Sequence, residues 1–182
     1  MTAASMPIHR GASFARCRRA SRGFSLIEIL VVVAIIGVLA LVVTLSIGGS
    51  TDRQVRREAE RFQALVGQAC EQAELSGREI GVFVDTGGYA FRLLAGTDWL
   101  DLPASGPLRP RSWIDGLRVE LAREGRHVDL AGIADAAPRL VCFSSGELTP
   151  FALTLVLGDA DPMRVNGSED AVLTTEHLGA KR

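Results

Sequence analysis

An α+β fold, a long N-terminal helix packed on an antiparallel β-sheet or β-sandwich, follows from three features of this 182-residue sequence. The first is an apolar run, Phe24–Ile47, whose single charge is Glu28. The second is a stripe at alternating spacings of four and three, formed by Val55, Ala59, Phe62, Val66, Ala69 and Ala73. The third is about eight short strand-like segments from Ile80 onward, punctuated by glycine and proline.

The apolar run makes a helix of roughly 36 Å at 1.5 Å per residue, enough for a hydrocarbon core of about 30 Å. It is apolar on every side, whereas a helix in a soluble core is striped. A secretory signal peptide would carry a shorter apolar region ending in a small-x-small cleavage site. Neither Val38–Val43 nor Ser46–Ser50 supplies one. Residues 24–47 are therefore expected to form a retained transmembrane helix.

Charge gives its orientation. Residues 1–23 carry Arg10, Arg16, Arg18, Arg19 and Arg22 and no acid, whereas Thr51–Leu65 sets four arginines against three acids. The positive-inside rule places the N-terminus in the cytoplasm and the body beyond the inner membrane. The leader takes five of the 20 basic residues and none of the 21 acids, so the remainder carries net −6. An acidic body argues against a general nucleic-acid binder, which must neutralise phosphates. The single lysine, Lys181, excludes a Walker-type phosphate loop, a Schiff-base enzyme and a Ser-x-x-Lys hydrolase. Three widely spaced cysteines exclude a disulfide scaffold and a zinc ribbon.

Glu28 stands out, because a carboxylate deep in hydrocarbon costs about 2.5–3.5 kcal/mol and such residues are usually functional. Arg22-Gly23-Phe24-Ser25-Leu26-Ile27-Glu28 joins a basic leader, a glycine, a phenylalanine and a glutamate four residues on. This segment resembles the class III signal of type IV pilins and type II secretion pseudopilins. The resemblance implies that a prepilin peptidase cuts after Gly23 and N-methylates Phe24. It also implies that Glu28 guides subunit assembly. The physics agrees: a buried anion needs a cation, and a neighbouring subunit's N-terminal amine would supply one. The leader is 23 residues long counted from Met1, or 18 from Met6.

Beyond Gly48-Gly49-Ser50, a flexible point, Thr51 and Asp52 read as caps of a second helical stretch ending near Leu75 at Ser76-Gly77. Arg53, Arg56, Arg57, Glu58, Glu60 and Arg61 lie off the apolar stripe. The stripe is too short for a coiled-coil seam and suits packing on the chain's own sheet. Strands are expected at 80–84, 89–94, 117–121, 127–130, 139–143, 151–157, 163–165 and 172–175. Asp85-Thr86-Gly87-Gly88 reads as a hairpin turn whose glycines supply positive φ. Asn166-Gly167 reads as a turn between the last two strands. Thr97–Ser112, with Pro103, Gly106, Pro107 and Pro110, reads as a long exposed loop.

Ser144-Ser145-Gly146-Glu147-Leu148-Thr149-Pro150-Phe151 lies between two apolar strands. It resembles the sheet region of the minor pseudopilins H of type II secretion, within the GspH/FimT family. The resemblance covers residues 22 to about 157. It implies a pilin-like fold, with segments 1–23 (cytoplasmic leader), 24–47 (transmembrane helix), 51–76 (periplasmic half of the long helix) and 77–182 (β-rich periplasmic domain). It implies a structural subunit near the tip of a short pseudopilus that supports export of folded proteins. Its partners would be the prepilin peptidase, the major and other minor pseudopilins, the inner-membrane assembly platform and membrane lipid. The alternative in the same superfamily is a FimT-like minor pilin acting in DNA uptake or pilus assembly, which would need a basic DNA contact. Lys181-Arg182 offers only two charges, and no nucleic acid is expected among the partners.

No enzyme and no cofactor is expected. His127, Asp129 and Cys142 could be drawn as a thiol triad, but 127–130 alternates as a half-exposed strand and Cys142 lies in an apolar one. The histidines at 9, 127 and 177 have no metal-ligand spacing. Asp159, Asp161, Glu169 and Asp170 read as solvated loop charges. Cys70 and Cys142 would face an oxidising periplasm, where two buried thiols are the default and a bridge between helix and sheet the alternative. Cys17 leaves with the leader.

Overall fold

A computed structural model describes residues 25–131 and 137–179, and of residues 41–49 the backbone alone. The chain divides into two compact units, Met1–Leu41 and Val42–Arg182. One helix, α1 (Leu26–Ser76), contributes to both. It runs through Gly48-Gly49-Ser50, so Thr51 and Asp52 are helix-interior residues rather than caps. The Asp52 carboxylate instead accepts the amide of Asp161 at 3.3 Å.

The helix ends where the sequence places its stop. Gly77 takes φ +63°, Arg78 N–H donates to Ala73 O at 3.2 Å and Gly77 N–H to Glu74 O at 3.3 Å. This is a Schellman termination, and the left-handed conformation is what glycine adopts without a Cβ penalty.

Among the described residues ten strands follow, all paired antiparallel. The first sheet has the order β3 (Asp98–Asp101), β2 (Gly88–Ala95), β1 (Ile80–Val84), β7 (Leu140–Cys142), with β4 (Arg111–Ser112) also on β2. The second has the order β10 (Leu173–His177), β9 (Met163–Gly167), β8 (Phe151–Leu157), β5 (Leu117–Arg123), β6 (Arg126–Val128). All eight expected strands are present, two with the expected ends and the others with ends shifted by at most two residues. β3 and β4 are additional.

The helix stripe is the centre of the core. Val55, Ala59, Phe62, Val66, Ala69 and Ala73 are all 0% exposed. Phe62 meets Tyr89 of β2 edge-on at 5.1 Å and Phe151 of β8 edge-on at 6.1 Å. The helix thus packs against both sheets at once. Along β9, and along β8 as far as Val156, burial alternates, the pattern of strands with one face on the core.

Three further expectations fail in whole or in part, each for a packing reason. Segment 97–112 is exposed at most of its residues, as expected, but it is not all loop, since it contains β3 and β4 and is anchored to the body at a few points. Trp99 stands edge-on to Phe83 at 6.0 Å, Trp113 just beyond it donates its indole N–H to Asp85 O at 2.9 Å, and Leu108 is buried. Together with Pro138, Trp99 covers the second face of β1, which is why all five β1 residues are buried. Gly87 and Gly88 do not take positive φ. The turn is held by the Asp85 carboxylate, which accepts both their amides at 2.7 Å. Gly88 is needed because β4 approaches its α-carbon too closely for any Cβ.

Asn166-Gly167 is not a turn. Both residues are paired within β9, Asn166 with Thr174 and Gly167 with Leu173. The chain reverses later, over Ser168–Val172, where Ala171 takes φ 55°.

Candidate functional site: the N-terminal assembly helix

The first unit is built to be covered by something else. Ser25 O accepts the amides of Glu28 at 3.0 Å and Ile29 at 3.2 Å, starting α1 directly after the expected cleavage point. Every described residue from Ser25 to Ala40 is exposed, including Leu26 (84%), Leu30 (62%) and Leu39 (59%). An all-round apolar helix left in water forfeits about 25 cal/mol for each Å² exposed, so its stable setting is lipid or packed neighbouring helices. Among the described residues no helix is long and apolar enough to cross a membrane; the side chains of 41–47, the last part of the expected span, lie outside the described residues.

Glu28 is the one charge of this stretch and sits in the first turn of α1, where the helix dipole favours an anion. Glu28 itself is exposed. Such a group can bind a cation brought by a neighbour. Gly23 and Phe24, the expected cleavage and methylation positions, lie outside the described residues, as does the Lys181-Arg182 tail.

The second unit contains two buried features. Glu58 is off the stripe by spacing, yet it is 4% exposed and pairs with Arg61. Arg61 also donates to Tyr89 Oη at 3.3 Å and to Ser112 O at 3.4 Å, tying the helix to β2 and β4. Burial pushes the Glu58 carboxyl above its ordinary value, with Arg61 and Arg111 only partly offsetting it. Tyr89 is raised as well, first by burial. The spacing of Glu58, three residues after buried Val55 and three before Arg61, was the sequence signal for this pair.

The other feature is a bond between Cys70 of α1 and Cys142 of β7, whose α-carbons are 4.8 Å apart. The default of two free thiols is thereby corrected: Cys142 lies in register with Ile80, facing the helix stripe, and the helix brings Cys70 to it. With Cys142 bonded, the His127–Asp129–Cys142 triad has no thiol, and His127 is exposed beside Glu120 at 3.9 Å. Among the described residues no three His, Cys, Asp or Glu side chains gather as metal ligands.

The 144–151 segment joins these parts. Phe143 N–H donates to Glu147 O, Gly146 N–H to Phe143 O, and Leu148 N–H to Glu169 O at 2.9 Å, while buried Leu148 bridges to Cys142. Gly146 takes φ +92° directly against the Glu74 carboxylate.

Residues 18–44 match the prokaryotic N-terminal methylation motif, and residues 58–171 match the type II transport protein GspH. The chain is 38% identical over 148 residues to type II secretion system protein H of Pseudomonas aeruginosa, covering 75% of this chain and 84% of that one. It is 31% identical over 156 residues to the protein of that name from Aeromonas hydrophila, covering 79% and 85%. Among solved structures it resembles the minor pseudopilin EpsH of Vibrio cholerae, with a TM-score of 0.60, 26% identity and coverage of 72% and 99%. It shares the fold of Escherichia coli GspH, with a TM-score of 0.55, 22% identity and coverage of 72% and 93%. An N-terminal methylation signal, an exposed apolar helix and a GspH-type sheet domain thus stand in one chain, which belongs to the GspH family, the minor pseudopilins of type II secretion.

Proposed function

We propose that this chain is inserted as a single-pass inner-membrane precursor with its C-terminal domain in the periplasm. A prepilin peptidase cuts it after Gly23 and methylates Phe24. The mature subunit then passes into a pseudopilus, at or near its tip, where it supports export of folded proteins. The observation that carries this reading is the pairing of a methylation-type N-terminus over residues 18–44 with a GspH domain over 58–171.

The geometry supports the membrane and assembly steps in physical terms. The exposed apolar helix gives a surface that lipid covers before assembly and neighbouring helices cover after it, so transfer costs little apolar exposure. Glu28 gives the transfer its register, since a carboxylate among apolar helices is stable only beside a cation. A neighbour's methylated N-terminal amine is the cation nearest to hand in such a bundle. The sheet domain supplies surfaces for neighbours rather than chemistry: its half-buried charged pair and the bond between its cysteines hold its own layers together.

The test is a strain lacking this gene, scored for release of secreted enzymes and for natural transformation side by side. Enzymes held in the periplasm with DNA uptake intact are the expected result. Normal secretion with lost transformation would overturn it in favour of the pilus branch.

A further inference from the structure

The Cys70–Cys142 bond is inaccessible in the finished domain. Cys142 is 0% exposed, in register with Ile80 and bridged to Leu148, and Cys70 is 4% exposed on the core side of α1. Thiol–disulfide exchange requires the attacking sulfur to reach a sulfur of the donor and to pass through a mixed disulfide. A protein donor cannot make that contact with either sulfur at this burial. The two cysteines are 72 residues apart, with β1 to β6 between them. The pair therefore meets only after most of the first sheet has been exported.

From this we infer that an extracytoplasmic protein disulfide donor makes the bond before α1 closes on the first sheet, and that closure then seals it against reduction. The inference rests on the proposed topology, which puts the domain in an oxidising compartment. In the exchange, the thiolate of one cysteine attacks the donor's disulfide, forming a mixed disulfide and releasing one donor thiolate. The thiolate of the second cysteine attacks the chain-side sulfur, forming the Cys70–Cys142 bond and releasing the second donor thiolate. The chain loses two protons and two electrons and the donor leaves as a dithiol. Oxidation thus falls between export and closure of the domain, and the bond is no switch in the mature subunit.

The experiment uses the full-length chain carrying Cys17→Ser, so that only two thiols remain whether or not the leader is removed. Chains are acid-quenched from cells with and without the periplasmic dithiol oxidant, denatured and labelled with a maleimide polymer that shifts mass on gels. Cells with the oxidant should give no label until the sample is reduced, then two. Newly exported chains from cells without it should take two labels at once. Purified oxidised protein should be reduced on the order of a hundredfold or more slowly when native than in urea, because exposing the sulfurs requires opening the core. Equal reduction rates would overturn the sealing, and a bond formed equally well without the oxidant would overturn the donor step. Two free thiols in cells with the oxidant, while external protease digests the domain in spheroplasts, would overturn the bond and leave the topology standing. Two free thiols with the domain protected would overturn both.

Discussion

Phe151 and Gly167 face each other across β8 and β9, and the Phe151 ring lies over the glycine so closely that a β-carbon there would come within 2.7 Å of its Cδ1. The same β-carbon would stand 3.0 Å from Leu148 Cδ2. An aromatic ring laid over a cross-strand glycine fills the space the missing side chain leaves. Here the ring also reaches Phe62 of α1, so the glycine sets how deeply the second sheet sits against the helix.

Gly167→Ala should therefore act as overpacking. Both facing groups are buried, so the ring cannot swing into solvent, and the cost should be about 1–3 kcal/mol. In thermal melts of residues 51–182 that corresponds to a fall of at least about 3 °C. An unchanged melting temperature would show that the ring yields without penalty.

Much of this arrangement is legible in the sequence, and the misses share one cause. The six-residue stripe is fully buried because helical periodicity is a local property that the core has only to accept. Strands at 80–84 and 151–157 have the observed bounds because apolar runs between breakers leave little choice. The sequence marks Gly87, Gly88 and Gly167 as turn formers, whereas Gly88 and Gly167 are glycine because another backbone or ring comes close. Proximity between distant segments leaves no local signature. The same holds for segment 97–112, where prolines suggest an exposed loop but Trp99, Leu108 and the adjoining Trp113 pack back on the sheet. At the candidate site, the Gly23–Glu28 motif is contiguous and can be read directly. The Glu58–Arg61 pair could be anticipated from spacing alone, but its burial depends on Tyr89 and Ser112, some 28 and 51 residues from Arg61.

Glu58 gives the domain a pH dependence of definite sign. Its carboxyl is raised above the ordinary range by burial. Between the ordinary value and the raised one, the folded state keeps a proton that the unfolded chain has released. Stability therefore falls as pH rises through that window, with the proton-linked contribution complete below the unfolded value and lost above the folded one. Urea midpoints from about pH 4 to 7 should show wild type losing ground to Glu58→Gln as pH rises. Tyr89, also raised, matters only above about pH 10 and does not enter this range. Parallel curves for the two proteins would remove the assignment.

The Cys70–Cys142 bond should carry much of the domain's stability. Closing a loop with a separation of 72 residues restricts the unfolded chain by about 4 kcal/mol on the chain-entropy model. Replacing both cysteines with alanine should lower the unfolding free energy by that order, offset in part by good apolar packing of the new methyls. Equilibrium urea unfolding of the oxidised and the doubly substituted domain measures the difference. A difference below about 1 kcal/mol would mean that the unfolded chain is already compact around this pair.

The N-terminal residues separate processing from assembly. Any side chain at position 23 adds bulk where a peptidase must approach the backbone, so Gly23→Ala or larger should leave the chain at precursor mass. The wild-type chain should be shortened by its leader. Glu28→Ala should leave cleavage intact, because the carboxylate lies four residues beyond Phe24 in the first turn of a helix that begins at Leu26. What it removes is the one anion of an otherwise apolar surface, and with it the proposed partner for a neighbour's N-terminal amine. Mass spectrometry of membrane-bound chains reports the first step, and cross-linking to the major pseudopilin reports the second. The expected pattern is an uncut Gly23 variant and a cut Glu28 variant with cross-links lost by tenfold or so, the size of one partly buried ion pair of about 1.4 kcal/mol. A Glu28→Ala chain that is cut and cross-links normally would mean that apolar helix packing alone recruits the subunit, and that the carboxylate serves some other step.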